Sequence, residues 1–445
     1  MTDTLRMLVA GAFVLGVLVL LHEWGHFIVA KLCGVRVDVF SIGFGPRLWG
    51  VKRGDTDYRV SALPLGGYVR MAGDNPVEER TGAAYEFLSR PRWQRCLIAI
   101  AGPTMNILLT LFIFWGIYWI VGMPTETYLS QPAQVAAVPQ KAAVTGGVQP
   151  GDLIVAVDGV TTPTWEKVFT QIDKATPGGS LSIGVQRAGA RQTLSVTLPE
   201  TASESIVGYP ALPAVTDEVV IGLPAERAGM KSGDLIVSIN GTPVVSWMQF
   251  VDQVRNSEGQ PIHFVVRRDG EDIPLEITPT HMMASDGQMA WQVGISVKMQ
   301  ETYEHQGFLT SAKDAGLATV AGMRQIGQVL GGLFSGKVSV RDLQGVVGIA
   351  RESGRAAKRG PMTLLELTAV ISLNLGLLNL LPIPILDGGH VLLLAIEGGM
   401  RRDLSIRFKE RFVQVGLVFL LGIFAFVMYS DILRVIQAQY AHLPR

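Results

Sequence analysis

Cysteine is almost missing from this chain: Cys33 and Cys96 are the two such residues in 445. That excludes a disulfide framework and any cysteine-rich zinc or iron–sulfur site. Charge is scarce as well. Asp, Glu, Lys and Arg make up 17% of the residues, where a soluble domain carries about a quarter. Neither sign is in excess, with 38 basic residues against 38 acidic ones, so the overall basic footprint of a nucleic-acid-binding protein is absent. Apolar residues take the space that charge leaves. They account for 48% of the chain, and the mean hydropathy is +0.32. The length allows about two to four domains, and the composition places part of the chain in a bilayer.

Four runs are long and apolar enough to span. Residues 7–21 carry no charge, and continuing to Ala30 gives about 36 Å of helix at roughly 1.5 Å per residue. A secretory signal peptide is the rival reading. No small-residue cleavage site follows the run, however, and His22-Glu23-Trp24-Gly25-His26 interrupts it. The other spans are Cys96 to Met123, Leu364 to Leu381 and Phe412 to Tyr429. The stretch after the third is apolar but holds Pro382, Pro384 and Asp387, so it cannot continue as a straight helix. Segment 31–95 has eleven Lys/Arg against seven Asp/Glu, and segment 397–411 has five Lys/Arg in fifteen residues. Basic loops stay on the cytoplasmic side, which puts both termini and the long stretch 124–360 across the membrane. In a bacterium that side is the periplasm. Cys33 and Cys96, at cytoplasmic ends of spans, are expected to be reduced packing residues.

The extramembrane part contains a duplication. Gly147-Val-Gln-Pro-Gly-Asp-Leu-Ile-Val-Ala-Val-Asp-Gly159 recurs as Gly229-Met-Lys-Ser-Gly-Asp-Leu-Ile-Val-Ser-Ile-Asn-Gly241. Each copy predicts a turn, a short strand, a tight Asp-Gly or Asn-Gly turn and a helix, over 165–175 and 246–256. Strands are expected at 180–187, 193–198, 263–268 and 273–278. The pattern around Gly229–Gly241 resembles PDZ domains of the bacterial protease type, which bind peptide ends by adding a strand to a sheet edge.

The first span also carries chemistry. His22-Glu23-Trp24-Gly25-His26 is H-E-x-x-H. Residues four apart share a helix face, so both imidazoles can reach one metal ion, with the glutamate beside them as a base. Ionisable groups in an apolar span are costly and mark functional sites. Two histidines are too few, since catalytic zinc takes three protein ligands and leaves one position open. Asp38, Asp55 and Asp57 lie beyond the span, in what reads as a loop. Asp387 is the better third donor. It is the only acid between Glu366 and Glu397, and its prolines free backbone groups that are tolerated at membrane depth where they are buried or line a cavity.

With these residues in place, the chain resembles the site-2 protease family of zinc intramembrane metalloproteases. The resemblance covers nearly the whole length. It includes Phe40-Ser-Ile-Gly-Phe-Gly-Pro46, Ala62-Leu-Pro-Leu-Gly-Gly-Tyr-Val-Arg-Met71, Ala101-Gly-Pro-Thr-Met-Asn106 and Leu386-Asp-Gly388. The chain departs from it at Gln344 and Val346, where the family usually has Ser and Pro. The resemblance implies Zn2+ held by His22, His26 and Asp387, with Glu23 as general base for water attack on a peptide carbonyl. It also implies substrate backbone contacts from Asn379. A β-hairpin-like element with Gly66-Gly67 as a turn signal would offer Leu65, Gly66, Gly67, Tyr68 and Val69 to an extended substrate. His390 is expected to pack near the site and not to ligate. Segment 311–334 is helical by spacing; it either lies on the membrane surface or packs against the repeated domains.

The expected fold class is a polytopic α-helical membrane protein with four transmembrane helices and two tandem periplasmic PDZ domains. Its domains would be 1–126 with the first two spans and a cytoplasmic β-loop, 127–206 and 207–300 as the PDZ pair, 301–362 as a membrane-surface connector, and 363–445 with the last two spans. The expected activity is cleavage of transmembrane segments in the inner membrane. By resemblance, substrates are single-span proteins such as anti-sigma factors already trimmed by an upstream periplasmic protease, and leftover signal peptides. Membrane lipid is the other expected partner, and nucleic acid is not one. Two other classes compete: a non-catalytic scaffold presenting two peptide-binding domains, and a zinc carrier. Glu23 and the third donor argue against the scaffold. The carrier leaves the repeat and the base unexplained.

Overall fold

The computed structural model describes residues 3–74, 81–139, 147–176, 178–197, 207–220, 222–284, 289–297, 301–335 and 345–440. The side chains of residues 64, 65, 283, 301, 334, 346 and 430–440 fall outside that description, as does Gln344. The chain forms two compact units, Met1–Met123 with His305–Ile436 and Pro124–Glu304 with Gln437–Arg445.

The first unit opens with α1 (Asp3–Leu32), uncharged over most of its length. The helix stops at Gly34, whose φ of +72° no side chain favours; the Val35 amide turns back onto the Ala30 carbonyl at 2.9 Å. Next come β1 (Val37–Arg53) and β2 (Thr56–Met71), an antiparallel pair. Phe40 faces Val69 on one side and Tyr58 on the other, so the first half of β1 is flanked on both sides by β2. The hairpin turns at Gly54-Asp55, not at Gly66-Gly67 as the sequence suggests. The two glycines lie within β2 because space is short there. A Cβ on Gly66 would collide with the Phe44 ring, and one on Gly67 would sit 2.8 Å from the Ser41 carbonyl oxygen. Asp38 and Asp57 likewise lie in strands and not in a loop. Then α2 (Arg92–Ile120) starts just after Pro91.

The second unit is built on the duplication. The chain enters it along β3 (Met123–Glu126). The first lobe holds β4 (Leu153–Val157), β5 (Val160–Thr161), α3 (Trp165–Ile172), β6 (Ser180–Arg187) and β7 (Ala190–Thr197), in sheet order β5-β4-β6-β7. After β8 (Thr216–Val219) and α4 (Pro224–Arg227), the second lobe repeats the pattern with β9 (Leu235–Ile239), β10 (Thr242–Pro243), α5 (Trp247–Arg255), β11 (Ile262–Arg268) and β12 (Glu271–Ile277), in order β10-β9-β11-β12. Further strands are β13 (Thr280–Met283), β14 (Met289–Gln292), β15 (Ile295–Val297), which pairs with β8, and β16 (Glu301–Glu304), which pairs with β3. Each lobe has its own core, with Trp165, Ile183 and Val185 buried in one and Phe250, Phe264 and Val266 in the other. Each also repeats one ion pair. Arg187 grips Asp152 through two hydrogen bonds of 2.7 and 2.8 Å and also reaches the Gly147 carbonyl. Arg268 grips Asp234 through two of 2.7 Å and reaches the Gly229 carbonyl.

The chain returns to the first unit with α6 (Phe308–Phe334), α7 (Val346–Arg359), α8 (Pro361–Asn379), α9 (Asp387–Met400) and α10 (Ile406–Tyr440). α6 packs on α2 and α8, with the Phe308 ring 4.7 Å from that of Trp115. α7 packs on α1, where a Cβ on Gly354 would come 2.8 Å from the Met7 Cα. α8 and α2 are held by polar contacts between helices. Thr110 Oγ1 donates to the Ala369 carbonyl at 2.8 Å, and Ser372 Oγ donates to the Asn106 carbonyl at 2.8 Å. Gly376 lets them approach, since a Cβ there would stand 2.9 Å from the Pro103 carbonyl oxygen. Small residues and such hydrogen bonds join helices where lipid removes the hydrophobic drive. Among the described residues, four helices, Thr4–Leu32, Arg92–Ile120, Pro361–Asn379 and Ile406–Tyr429, are long and apolar enough to cross a membrane, in agreement with the four expected runs.

Candidate metal centre

On α1 the four-residue spacing puts His22 and His26 on one face, both buried. They reach their positions because α1 and α2 meet at glycines. A Cβ on Gly25 would lie 2.5 Å from the Ala101 carbonyl oxygen, and a Cβ on Gly102 would collide with the His26 ring. This close approach brings His26 Nδ1 within 2.7 Å of the Ile98 carbonyl oxygen. A carbonyl only accepts, so Nδ1 carries the proton and Nε2 keeps its lone pair.

The third donor comes from the broken segment. α8 ends at Asn379, and residues 380–386 turn before α9 begins at Asp387. The turn is tight. Cβ atoms on Gly388 and Gly389 would collide with the Leu380 and Ile383 carbonyl oxygens, and Ile385 holds a φ of +83°. For a β-branched residue that is an outlier that the surroundings must enforce. Asp387 thus stands in the first turn of α9, where the helix dipole favours a negative charge.

The result is a compact donor set. His22 Nε2 is 3.2 Å from Asp387 Oδ2, His26 Nε2 is 3.5 Å from Asp387 Oδ1, and the two Nε2 atoms are 3.3 Å apart. Tetrahedral zinc with bonds of about 2.0–2.1 Å would place its ligands about 3.3–3.4 Å from one another. The three distances match the edges of such a tetrahedron. Two imidazoles and one carboxylate are also the donor chemistry of a catalytic zinc site with one position open. Among the described residues this is the group of His and acid side chains placed to hold a metal ion.

Glu23 stands beside the donors and outside their set. With them it lines a cavity of about 800 Å³, within the usual range of ligand sites. The Val69 backbone lies beside its carboxylate, and Gly67 packs close to its Cγ. Tyr68, Val69 and Asn379 line the same cavity. Gly66 points toward Phe44, and the Leu65 side chain lies outside the described residues. His390 lines the cavity and is not part of the donor group. Arg95, Glu397 and Lys409 also line the cavity, with Glu397 and Lys409 paired at 2.5 Å. The Ile98 carbonyl, Gly102 and Asn106 are neighbours of the donors to which the sequence assigns no role. The available signal was an amide side chain, Asn106, in an uncharged span.

Residues 10–423 match the model of peptidase family M50. This chain belongs to peptidase family M50. As an M50 member, the family of the site-2 proteases, it is a metalloprotease. It is 33% identical to a "Putative zinc metalloprotease" of Vibrio cholerae over 98% of this chain and 100% of the relative. It is 33% identical to the "Regulator of sigma-E protease RseP" of Salmonella typhimurium over the same shares, and 32% identical to the protein of that name in Escherichia coli over 94% and 97%.

Proposed function

We propose that this M50 protease is a zinc-dependent endopeptidase that cuts transmembrane segments of single-span membrane proteins after their extramembrane part has been trimmed. The observation that carries the proposal is the donor set. Three side chains from two apolar segments sit at tetrahedral edge distances, with Glu23 beside them. When bound, zinc polarises the scissile carbonyl and lowers the pKa of water toward neutrality. His22, His26 and Asp387 hold the ion. The Glu23 carboxylate takes the proton of the attacking water and delivers it to the leaving amine. Asn379 offers its side-chain amide to the substrate backbone or to the developing oxyanion. The outer edge of β2 at Gly67–Val69 receives the opened substrate as an added strand.

The two repeated lobes, with boundaries near 127–206 and 207–300, act as PDZ domains. They face the periplasm and admit only trimmed substrates or read newly exposed ends. The balance of Lys and Arg between loops supports that orientation, with both termini on the same side. Relatives named as regulators of sigma-E protease support an anti-sigma factor as substrate and the bacterial inner membrane as location. Leftover signal peptides are a second substrate class. The test is cleavage of a tagged, periplasmically truncated single-span substrate in membranes, by wild type and by Glu23→Gln. Cleavage by wild type alone supports the reading, and equal cleavage by both sinks it. Deleting 127–300 should permit cutting of untrimmed substrate; retained discrimination would defeat the filter role.

A further inference from the structure

Asn106 lies on α2 with no solvent exposure. Its side-chain nitrogen stands 3.3 Å from His22 Nδ1, and its side-chain oxygen has no hydrogen-bond partner. That arrangement conflicts with the metal centre. A neutral imidazole offers a lone pair at one nitrogen only when the other carries the proton. The His22 nitrogen facing Asp387 and His26 is Nε2, so Nδ1 must be the donor. A donor facing an NH2 group is repulsive. Amide oxygen and nitrogen are assigned from the hydrogen-bond network, and turning the amide over resolves both faults at once. The orphaned oxygen gains a donor, and Nδ1–H gains an acceptor.

We propose that Asn106 is a positioning residue for the metal centre: its amide oxygen accepts a hydrogen bond from His22 Nδ1–H and thereby aims Nε2 of that ring at the ion. The proposal rests on the reading of His22, His26 and Asp387 as ligands. The other histidine has the same support, since His26 Nδ1 faces the Ile98 carbonyl at 2.7 Å. One face of α2 therefore serves both rings. Ile98, Gly102 and Asn106 follow one another at four-residue spacing along α2, as His22 and His26 do along α1. The outer two are acceptors, and the glycine between them leaves room for the His26 ring. Asn106 is itself held. Its carbonyl accepts from Ser372 Oγ at 2.8 Å, and Gly376 of α8 packs against its Cβ.

The experiment measures zinc affinity of the full chain in detergent by competition with a chromophoric chelator. Cobalt(II) absorption then reports the donor geometry. Asn106→Leu keeps the bulk and removes the acceptor; it should lose about 10–100-fold in affinity and show an altered cobalt spectrum. Asn106→Asp can accept but cannot donate; it should bind at least as well as wild type with the wild-type spectrum. Thr104→Val, on the exposed side of the same helix, should leave affinity unchanged. Wild-type affinity in Asn106→Leu overturns the proposal. So does a loss in Asn106→Asp as large as in Asn106→Leu. If Asn106→Leu does not fold, Asn106→Asp decides alone. A wild-type chain that takes up no zinc, or a His22→Ala chain that binds it equally well, would refute the metal centre itself and is separable from a failure at Asn106.

Discussion

Asp387 Oδ2 stands 3.2 Å from His22 Nε2, although the two residues come from opposite ends of the chain. The contact closes the donor set, and it makes metal binding depend on the turn at 380–386. Asp387→Asn should lower zinc content in the purified protein and cut proteolysis by at least about 10²-fold, the upper range for loss of supporting interactions alone. Chelation of the wild type should abolish cleavage, and added zinc should restore it. Metal analysis beside a cleavage assay checks both.

Glu23 lies next to the donors and outside their set, so its loss should separate chemistry from metal binding. Glu23→Gln keeps the shape but cannot take a proton. Cleavage should fall by about 10²–10⁴-fold with zinc content unchanged. A parallel loss of zinc would mean that Glu23 is a ligand.

The His26 ring occupies the space where Gly102 lacks a side chain. Gly102→Ala should push the ring off its position and weaken zinc binding by about 10–100-fold. Gly116→Ala on the same helix meets nothing within 4 Å and serves as the neutral control. Equal zinc affinity for both variants would show that the α1–α2 approach is not tight.

The contacts between α2 and α8 carry stability more than chemistry. Thr110→Val and Ser372→Ala each remove one interhelical hydrogen bond. Each should cost about 0.6 kcal/mol, the average for such bonds in membranes, measured by unfolding in mixed micelles.

In the second unit, the Arg187 guanidinium hydrogen-bonded to Asp152 holds that carboxyl below the usual carboxylate range. A carboxyl depressed in the folded state stabilises it above the unfolded value of about 3.9, and that stability is lost as pH falls through the folded value. Protection factors of the β4 amides, taken relative to the intrinsic exchange rate at each pH, should therefore fall below about pH 4 in wild type. Arg187→Met should exchange faster already at neutral pH and change less on acidification. An unchanged rate in that variant would remove the pair from any stabilising role.

Several features are legible in the order of residues because they are local. A run of apolar residues long enough to span forms a helix whatever its neighbours are, so the four spans agree with Thr4–Leu32, Arg92–Ile120, Pro361–Asn379 and Ile406–Tyr429. The duplication likewise specifies both strand–turn–helix units; the strand expected at 180–187 is Ser180–Arg187. Gly66-Gly67 misleads because glycine has two uses. It supplies unusual backbone angles in turns, but it also makes room where chains touch, and the second use depends on Phe44 and Ser41.

By itself, the sequence determined the spans, the repeat and the shared face of His22 and His26, since each depends on residues within a few turns of one another. Tertiary structure alone decided how close Asp387 comes to them, which carbonyl fixes the His26 proton, and that Asn106 lies against His22. Those relations join segments far apart in the chain. They are set by how closely helix backbones approach, through Gly25, Gly102 and Gly376, and no local pattern encodes that distance.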